Sequence, residues 1–257
     1  YPRYLIRNEE RVALPGNERK PTGTQYATDL MRDEALDFVR RSADGPFFLY
    51  YATPVPHLAL QVPEDSLDEY RGVWDDLDED TPYEGGKGYL PHPEPRAAYA
   101  AMVTRFDRDI GDLMQLIEVL GLTDDTIFIV TSDNGSTFDL GGYDMAFFDG
   151  TGGLRGHKTN LYEGGIRVPL IATWPGRIDA GSTSDTIVAN WDLFPTIVAL
   201  AGERAPRGLD GIDFSPVLLG TGEAPKRAYL YWEHHAGAGR QAVRMGQWQA
   251  GRNDGRK

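Results

Sequence analysis

The chain has 257 residues, 40% of them hydrophobic and 25% charged, enough to fill one sizeable apolar core. Its 26 basic and 39 acidic side chains leave a formal charge of -13, which excludes a broad electrostatic footprint for nucleic acid, so an anionic ligand has to be held by local cations. The absence of cysteine excludes disulfides, thiolate metal sites and a cysteine nucleophile within these residues, and no apolar run approaches the ~18 residues of a membrane span.

The chain opens on Tyr1 rather than Met and shows no leader pattern, so processing or upstream sequence is expected. The opening stretch is polar until Tyr26 to Val39, where Leu30, Ala35, Leu36 and Val39 predict an amphipathic helix ended by Asp44-Gly45-Pro46. Phe47-Phe-Leu-Tyr-Tyr-Ala52, bracketed by Pro46 and Pro54, predicts a short buried strand, followed by a loop that carries His57. Residues 61 to 95 are rich in Asp, Glu, Gly and Pro and predict a long surface excursion. Its acidic run, Asp75 to Asp80, fails as an EF-hand: with Asp76, Asp78 and Asp80 aligned, Thr81 stands at the glycine turn and Lys87 at the bidentate glutamate. It reads as a solvated face.

Apolar residues every three or four positions from Tyr99 to Leu120 predict a long helix over 96–120, stopped by Gly121. Thr126-Ile-Phe-Ile-Val-Thr131 predicts a strand covered on both faces that delivers Ser132-Asp133-Asn134-Gly135 at its C-terminal end. Val168 to Trp174 and Thr186 to Ala189 predict further strands, and Trp191 to Ala201 a helix that ends at Gly202. Alternating strands and helices predict an α/β fold with a largely parallel mixed sheet flanked by helices, with ligands beyond the C-terminal strand ends.

Asp133 and Asn134 offer a carboxylate and an amide oxygen to a hard cation such as Ca²⁺ or Mg²⁺; the same residues read equally as a hairpin turn at Asn134-Gly135. His57, after Pro56, could donate to an anion or protonate a leaving group, or serve as an ordinary exposed loop histidine. Gly152 to Pro169 sets five glycines beside Arg155, His157, Lys158 and Arg167, which suits a tetrahedral oxyanion but also reads as a loop with solvated charges. It lacks the order and spacing of a P-loop. His234 and His235 point to opposite faces of any strand they share, so they read as packing residues.

In order along the chain, Pro46-Phe-Phe-Leu-Tyr50 with Pro56-His57, Thr131-Ser-Asp-Asn-Gly135, Leu154-Arg-Gly-His-Lys158, Leu161 to Pro169, Asp192-Leu-Phe-Pro-Thr196 and Leu209-Asp-Gly-Ile-Asp213 resemble the formylglycine-dependent sulfatase family of the alkaline-phosphatase-like superfamily. The resemblance implies a sulfuric ester hydrolase acting on a sulfated small molecule or sulfated carbohydrate. It assigns Asp133 and Asn134 to a divalent metal, Ca²⁺ with Mg²⁺ as the alternative, and His57 and Lys158 to the sulfate, with Arg155 and Glu163 supporting the loop.

The family also carries a further metal-binding aspartate pair and a Cys-x-Pro-x-Arg motif whose cysteine, occasionally serine, becomes formylglycine. Neither Cys-x-Pro-x-Arg nor Ser-x-Pro-x-Arg occurs here, so the expectation is a fragment whose nucleophile lies outside the chain and which is inactive alone. Residues 1–225 are expected to form part of the catalytic domain and residues 226–257 the opening of a small C-terminal α+β subdomain. The resemblance leaves a phosphonate or phosphate ester hydrolase of the same superfamily, and a non-catalytic binding protein, as rival readings. It is compatible with a periplasmic or secreted compartment and leaves localisation open.

Overall fold

The computed structural model describes residues 1–18, 20, 22–74, 89–235 and 239–252. The acidic run from Asp75 to Asp80 lies outside them. The chain divides into two compact units, Tyr1–Leu122 with Thr137–Phe148, and Thr123–Ser136 with Asp149–Lys257. Residues 226–252 share the second unit with the glycine-rich loop.

In the first unit, β1 (Tyr4–Arg7) and β2 (Glu10–Ala13) form an antiparallel hairpin in register Tyr4↔Ala13 to Arg7↔Glu10. Asn8, at φ 55, makes its two-residue turn, as suits a residue whose short amide tolerates the left-handed region. Helix α1 (Ala27–Ser42) buries Thr28, Ala35 and Val39, and carries Asp29 in its first turn and Arg40 and Arg41 in its last, matching the helix dipole at both ends. The single turn α2 (Glu64–Leu67) and the long helix α3 (Pro95–Val119) follow. Leu60, Val62 and Leu67 pack on Ala97, Ala98, Ala101 and Met102 of α3, where the three alanines let the 60–67 backbone approach closely. Helix α3 closes as the glycine predicts: Gly121, at φ 71, donates to Glu118 O at 2.9 Å and Leu122 donates to Ile117 O at 3.0 Å. The last turn of this unit, α4 (Met145–Phe148), is capped by Asp144, which accepts from Phe147 N and pairs with Arg96.

A charged node lies between α1 and α3. Asp29 takes two hydrogen bonds of 2.7 Å from Arg105. Asp109 is 2% exposed; Tyr51 Oη donates to its Oδ2 at 3.3 Å and Arg32 Nη1 stands 3.8 Å from Oδ1, which accepts no hydrogen bond among the described residues. Burial pushes the Asp109 carboxyl up to about 6, against the pull of Arg32 and of the Tyr51 hydrogen bond. A carboxyl whose pKa is raised on folding binds its proton more tightly in the native state, so its favourable contribution is complete below pH ~4 and lost as pH rises through ~6. Asp109→Asn, which keeps the acceptor for Tyr51 and removes the charge, is expected to be more stable than the wild type at pH 7.5 by on the order of 2 to 3 kcal/mol, and within about 1 kcal/mol of it near pH 4.5. Thermal melts across pH 4.5 to 8 check this; a variant less stable than wild type at pH 7.5 would show that the charge is wanted.

In the second unit, β3 (Phe128–Thr131) pairs antiparallel with β4 (Leu170–Thr173), in register Phe128↔Thr173 to Thr131↔Leu170. Between them the chain makes the glycine-rich loop and the turn α5 (Glu163–Ile166). Helix α6 (Leu193–Leu200) and the turn α7 (Ser215–Leu218) precede a three-stranded antiparallel sheet of β5 (Leu230–His234), β6 (Arg240–Met245) and β7 (Trp248–Arg252). His234 ends β5, and His235 lies beyond it, exposed.

The chain is α/β as expected, but every ladder among the described residues is antiparallel, which corrects the expectation of largely parallel pairing. The two runs 47–52 and 186–189, expected as strands, enter no ladder among the described residues. At 47–52 the side chains alternate as a strand's must, with Phe48 and Tyr50 67% and 79% exposed and Phe47, Leu49 and Tyr51 half-buried. Apolarity alone predicts a strand here; pairing needs a neighbour.

Candidate functional site

Strand β3 ends at Thr131, and the next five residues form a bend rather than a hairpin, because the ladder partner of β3 is β4, some forty residues on. The turn reading of Asn134-Gly135 is thereby set aside. Several bonds fix the loop: Ser132 Oγ donates to Asn134 O at 2.9 Å, Asn190 Nδ2 donates to Ser132 O at 3.0 Å, and Gly135 N donates to Gly165 O at 3.0 Å. Asp133 is exposed and Asn134 half-buried, and neither side chain has a hydrogen-bond or ion-pair partner among the described residues.

The glycine-rich loop lies directly on this bend. Lys158 N donates to Ser136 O at 2.6 Å, which fastens the backbone of Lys158 beside the Asp133-Asn134 segment. A Cβ on Gly135 would stand 2.0 Å from Gly164 O, one on Gly164 2.2 Å from Gly156 O, and one on Gly165 2.2 Å from Asn160 O. None of these three glycines has a positive φ. They are required by backbone packed on backbone, which is how a glycine-rich segment presents rigid amides beside fixed cations. Lys158 is half-buried, and its ammonium has no partner among the described residues. Its loop neighbours are engaged: Arg155 stacks over Tyr162 with its guanidinium 3.9 Å from the ring centroid, and Glu163 pairs with Arg244 at 2.7 Å. His157 donates from Nδ1 to Lys158 O at 2.8 Å, since a carbonyl can only accept.

His57 belongs to the first unit. It is exposed, its N–H donates to Pro54 O at 2.7 Å, and its Nδ1 lies 2.6 Å from Leu58 O, so Nδ1 carries the proton and Nε2 is the nitrogen left for a ligand. The sequence motifs thus bring Asp133, Asn134 and Lys158 together in one unit, and His57 is placed in the other.

The donor set can be tested for a metal. Asp133 and Asn134 are hard oxygen donors suited to Ca²⁺ or Mg²⁺, but a calcium site takes six to eight oxygens. No group of three or more acidic or histidine side chains able to hold a metal occurs among the described residues. The pair therefore fits such an ion in kind and supplies part of its shell.

Sequence reasoning missed Asn190, Arg240, Arg244 and Gln249, all of which touch the two loops. Nothing local marks them, since their partners lie 58 to 88 residues away.

The sulfatase family model matches residues 2–203. Arylsulfatase A of Homo sapiens is 34% identical over 243 residues, covering 92% of this chain and 40% of that protein. N-acetylgalactosamine-6-sulfatase of Canis lupus familiaris is 32% identical over 237 residues, covering 89% and 39%. Among solved structures, Ps i-CgsB in complex with k-i-k-neocarrahexaose superposes with a TM-score of 0.75 at 29% identity, covering 99% of this chain and 50% of that one. The phosphonate monoester hydrolase SpPMH of Silicibacter pomeroyi, at a TM-score of 0.64 and 21% identity over 88% of this chain and 51% of its own, shares the fold. That fold is the alkaline-phosphatase-like one. The chain spans about 40% of the length of the first two relatives. By its family model and its relatives alike, the chain belongs to the sulfatase family.

Proposed function

We propose that the chain is part of an enzyme that hydrolyses sulfate esters, with Lys158 and His57 contacting the sulfate and Asp133 and Asn134 giving part of a divalent metal shell, Ca²⁺ before Mg²⁺. The observation that carries this reading is a half-buried ammonium, unpaired among the described residues, fastened through its own backbone N–H to the loop that presents Asp133 and Asn134. A lysine with no carboxylate partner, set among rigid backbone amides, is poised for an anion. Nε2 of His57, the nitrogen not engaged by Leu58 O, is the one suited to the leaving oxygen.

The nucleophile, a formylglycine, lies outside these 257 residues, which contain neither Cys-x-Pro-x-Arg nor Ser-x-Pro-x-Arg. A bound divalent ion would stabilise negative charge on the transferring group. The substrate class is a sulfated carbohydrate, by analogy with the relative named N-acetylgalactosamine-6-sulfatase and the neighbour solved with neocarrahexaose. The phosphonate hydrolase neighbour shares only the fold, and no feature of the site favours its chemistry. No helix among the described residues is long and apolar enough to cross a membrane.

The test compares two proteins on an aryl sulfate and a sulfated sugar: this chain alone, and the product of its whole reading frame. The chain alone is expected to show no turnover. The longer product is expected to turn over, and Lys158→Met in it to lower kcat/KM by about 10² to 10³. Turnover by the 257-residue chain would place the nucleophile within it and overturn the reading. A whole frame without Cys-x-Pro-x-Arg would favour a binding protein.

A further inference from the structure

We propose that the sheet β5–β6–β7 clamps the loop that bears Lys158, with Arg240, Arg244 and Gln249 as positioning residues; the catalytic consequence, though not the clamp, rests on the reading of Lys158 given above. Arg240 and Arg244 share one face of β6 with the buried Ala242, and Gln249 of β7 stands opposite Arg244 in register on that same face. From it, Arg240 Nη1 donates to Thr159 O, Gln249 Nε2 donates to Leu161 O, and Arg244 Nη1 pairs with the Glu163 carboxylate at 2.7 Å. The three contacts fall on Thr159, Leu161 and Glu163, so one face of the sheet holds the loop from its turn at Thr159 to the start of α5. The opposite face of the sheet is exposed at Tyr231, Met245 and Trp248.

Lys158 is thereby held from two directions. Its own N–H is tied to Ser136 O, and the carbonyl of the following residue is tied to Arg240. That following residue, Thr159, has φ 75, an outlier for a β-branched side chain that persists only where its surroundings over-determine it. Arg240 supplies part of that constraint. Arg244 and Glu163 are only 22% and 28% exposed, so solvent screens their pairing far less than it screens Arg167, 69% exposed and 3.8 Å from the same carboxylate. A lysine stem is long and flexible, so where its ammonium can reach is set by where its backbone is held. Misplacing a reacting group by about 1 Å costs roughly 10²-fold in rate.

The experiment uses the full 257-residue chain and reads two things: hydrogen exchange over residues 156–165, and acylation of the Lys158 amine by a small anhydride with and without inorganic sulfate. Arg244→Met with Gln249→Leu is expected to speed exchange across the loop by about tenfold or more and to weaken sulfate protection of Lys158 by a similar factor. Exchange in β3 should not change. The swap Glu163→Arg with Arg244→Glu should restore slow exchange, which general loss of stability would not permit. Should the double variant fail to fold, Arg244→Lys, which keeps the charge and loses the planar fork, is expected to loosen the loop partway. Unchanged loop exchange in the variant that folds, or no rescue by the swap, overturns the clamp. A wild-type chain whose Lys158 ignores sulfate, with a loop that still loosens in the variants, supports the clamp and overturns the assignment of Lys158 to the anion.

Discussion

Asp192→Ala is expected to destabilise the second unit by about 3 to 5 kcal/mol, among the larger effects of any single substitution here. Asp192 is fully buried. Its Oδ2 accepts from Ala189 N at 2.7 Å and from Arg227, and its Oδ1 accepts from Ile212 N at 2.9 Å. Its carbonyl accepts from Thr196 Oγ1 at 2.7 Å, and the same hydroxyl takes the N–H of Phe214 at 3.0 Å. One carboxylate therefore joins the entry to α6, the 211–214 segment and the chain leading into β5. Alanine would orphan two backbone donors and leave Arg227, 17% exposed at its side chain, without its anion. Arg227→Met should cost a similar amount by leaving the carboxylate buried and unpaired, and the double variant should cost less than the sum. Urea titration of the three variants, with exposed Asp179→Ala as a control expected within 0.5 kcal/mol, measures this. A loss under about 1 kcal/mol for Asp192→Ala would show that the network is slack.

The Asp192-Leu-Phe-Pro-Thr196 motif was visible in the sequence, yet its role was not, and the difference is instructive. A run of apolar residues at helical spacing encodes its own burial, so α1 and α3 were legible to within one to three residues at each end. Gly121 was legible as a stop because a left-handed position is a local demand. The β1–β2 hairpin was not, since both strands lie largely exposed and carry no apolar alternation, leaving only Asn8 as a turn signal. Strand direction was misread for a related reason: alternation of strands and helices says which runs extend, while pairing depends on partners remote in sequence. The same holds at the candidate site. Asp133, Asn134, His57 and Lys158 stood out by residue type and family resemblance. The groups that hold their loops, Asn190 and the inward face of β6 and β7, become visible only once the ladder register is known.

Gly135→Ala is the second substitution expected to act strongly, and it separates two reasons for a glycine. Gly135 does not occupy the left-handed region, so backbone freedom is not at issue. What a methyl would meet is the Gly164 carbonyl oxygen at 2.0 Å and the Gly165 Cα at 3.0 Å. Both are backbone, and Gly164 cannot retreat, because its own Cα already faces Gly156 O so closely that a methyl there would stand at 2.2 Å. The bend after β3 and the glycine-rich loop would have to part, breaking the bond from Gly135 N to Gly165 O and pulling on the bond from Lys158 N to Ser136 O. Overpacking of this kind costs about 1 to 3 kcal/mol and more where neither partner can move, so the upper end of that range is expected. Gly45, with nothing within 4 Å of its built Cβ and no positive φ, is the matched control: alanine there should be neutral or stabilise by up to about 1 kcal/mol through the unfolded chain. Paired urea titrations of the two variants decide the matter. If Gly135→Ala unfolds within 0.5 kcal/mol of wild type, the two loops are not in backbone contact, and the placement of Lys158 beside Asp133 and Asn134 loses its support.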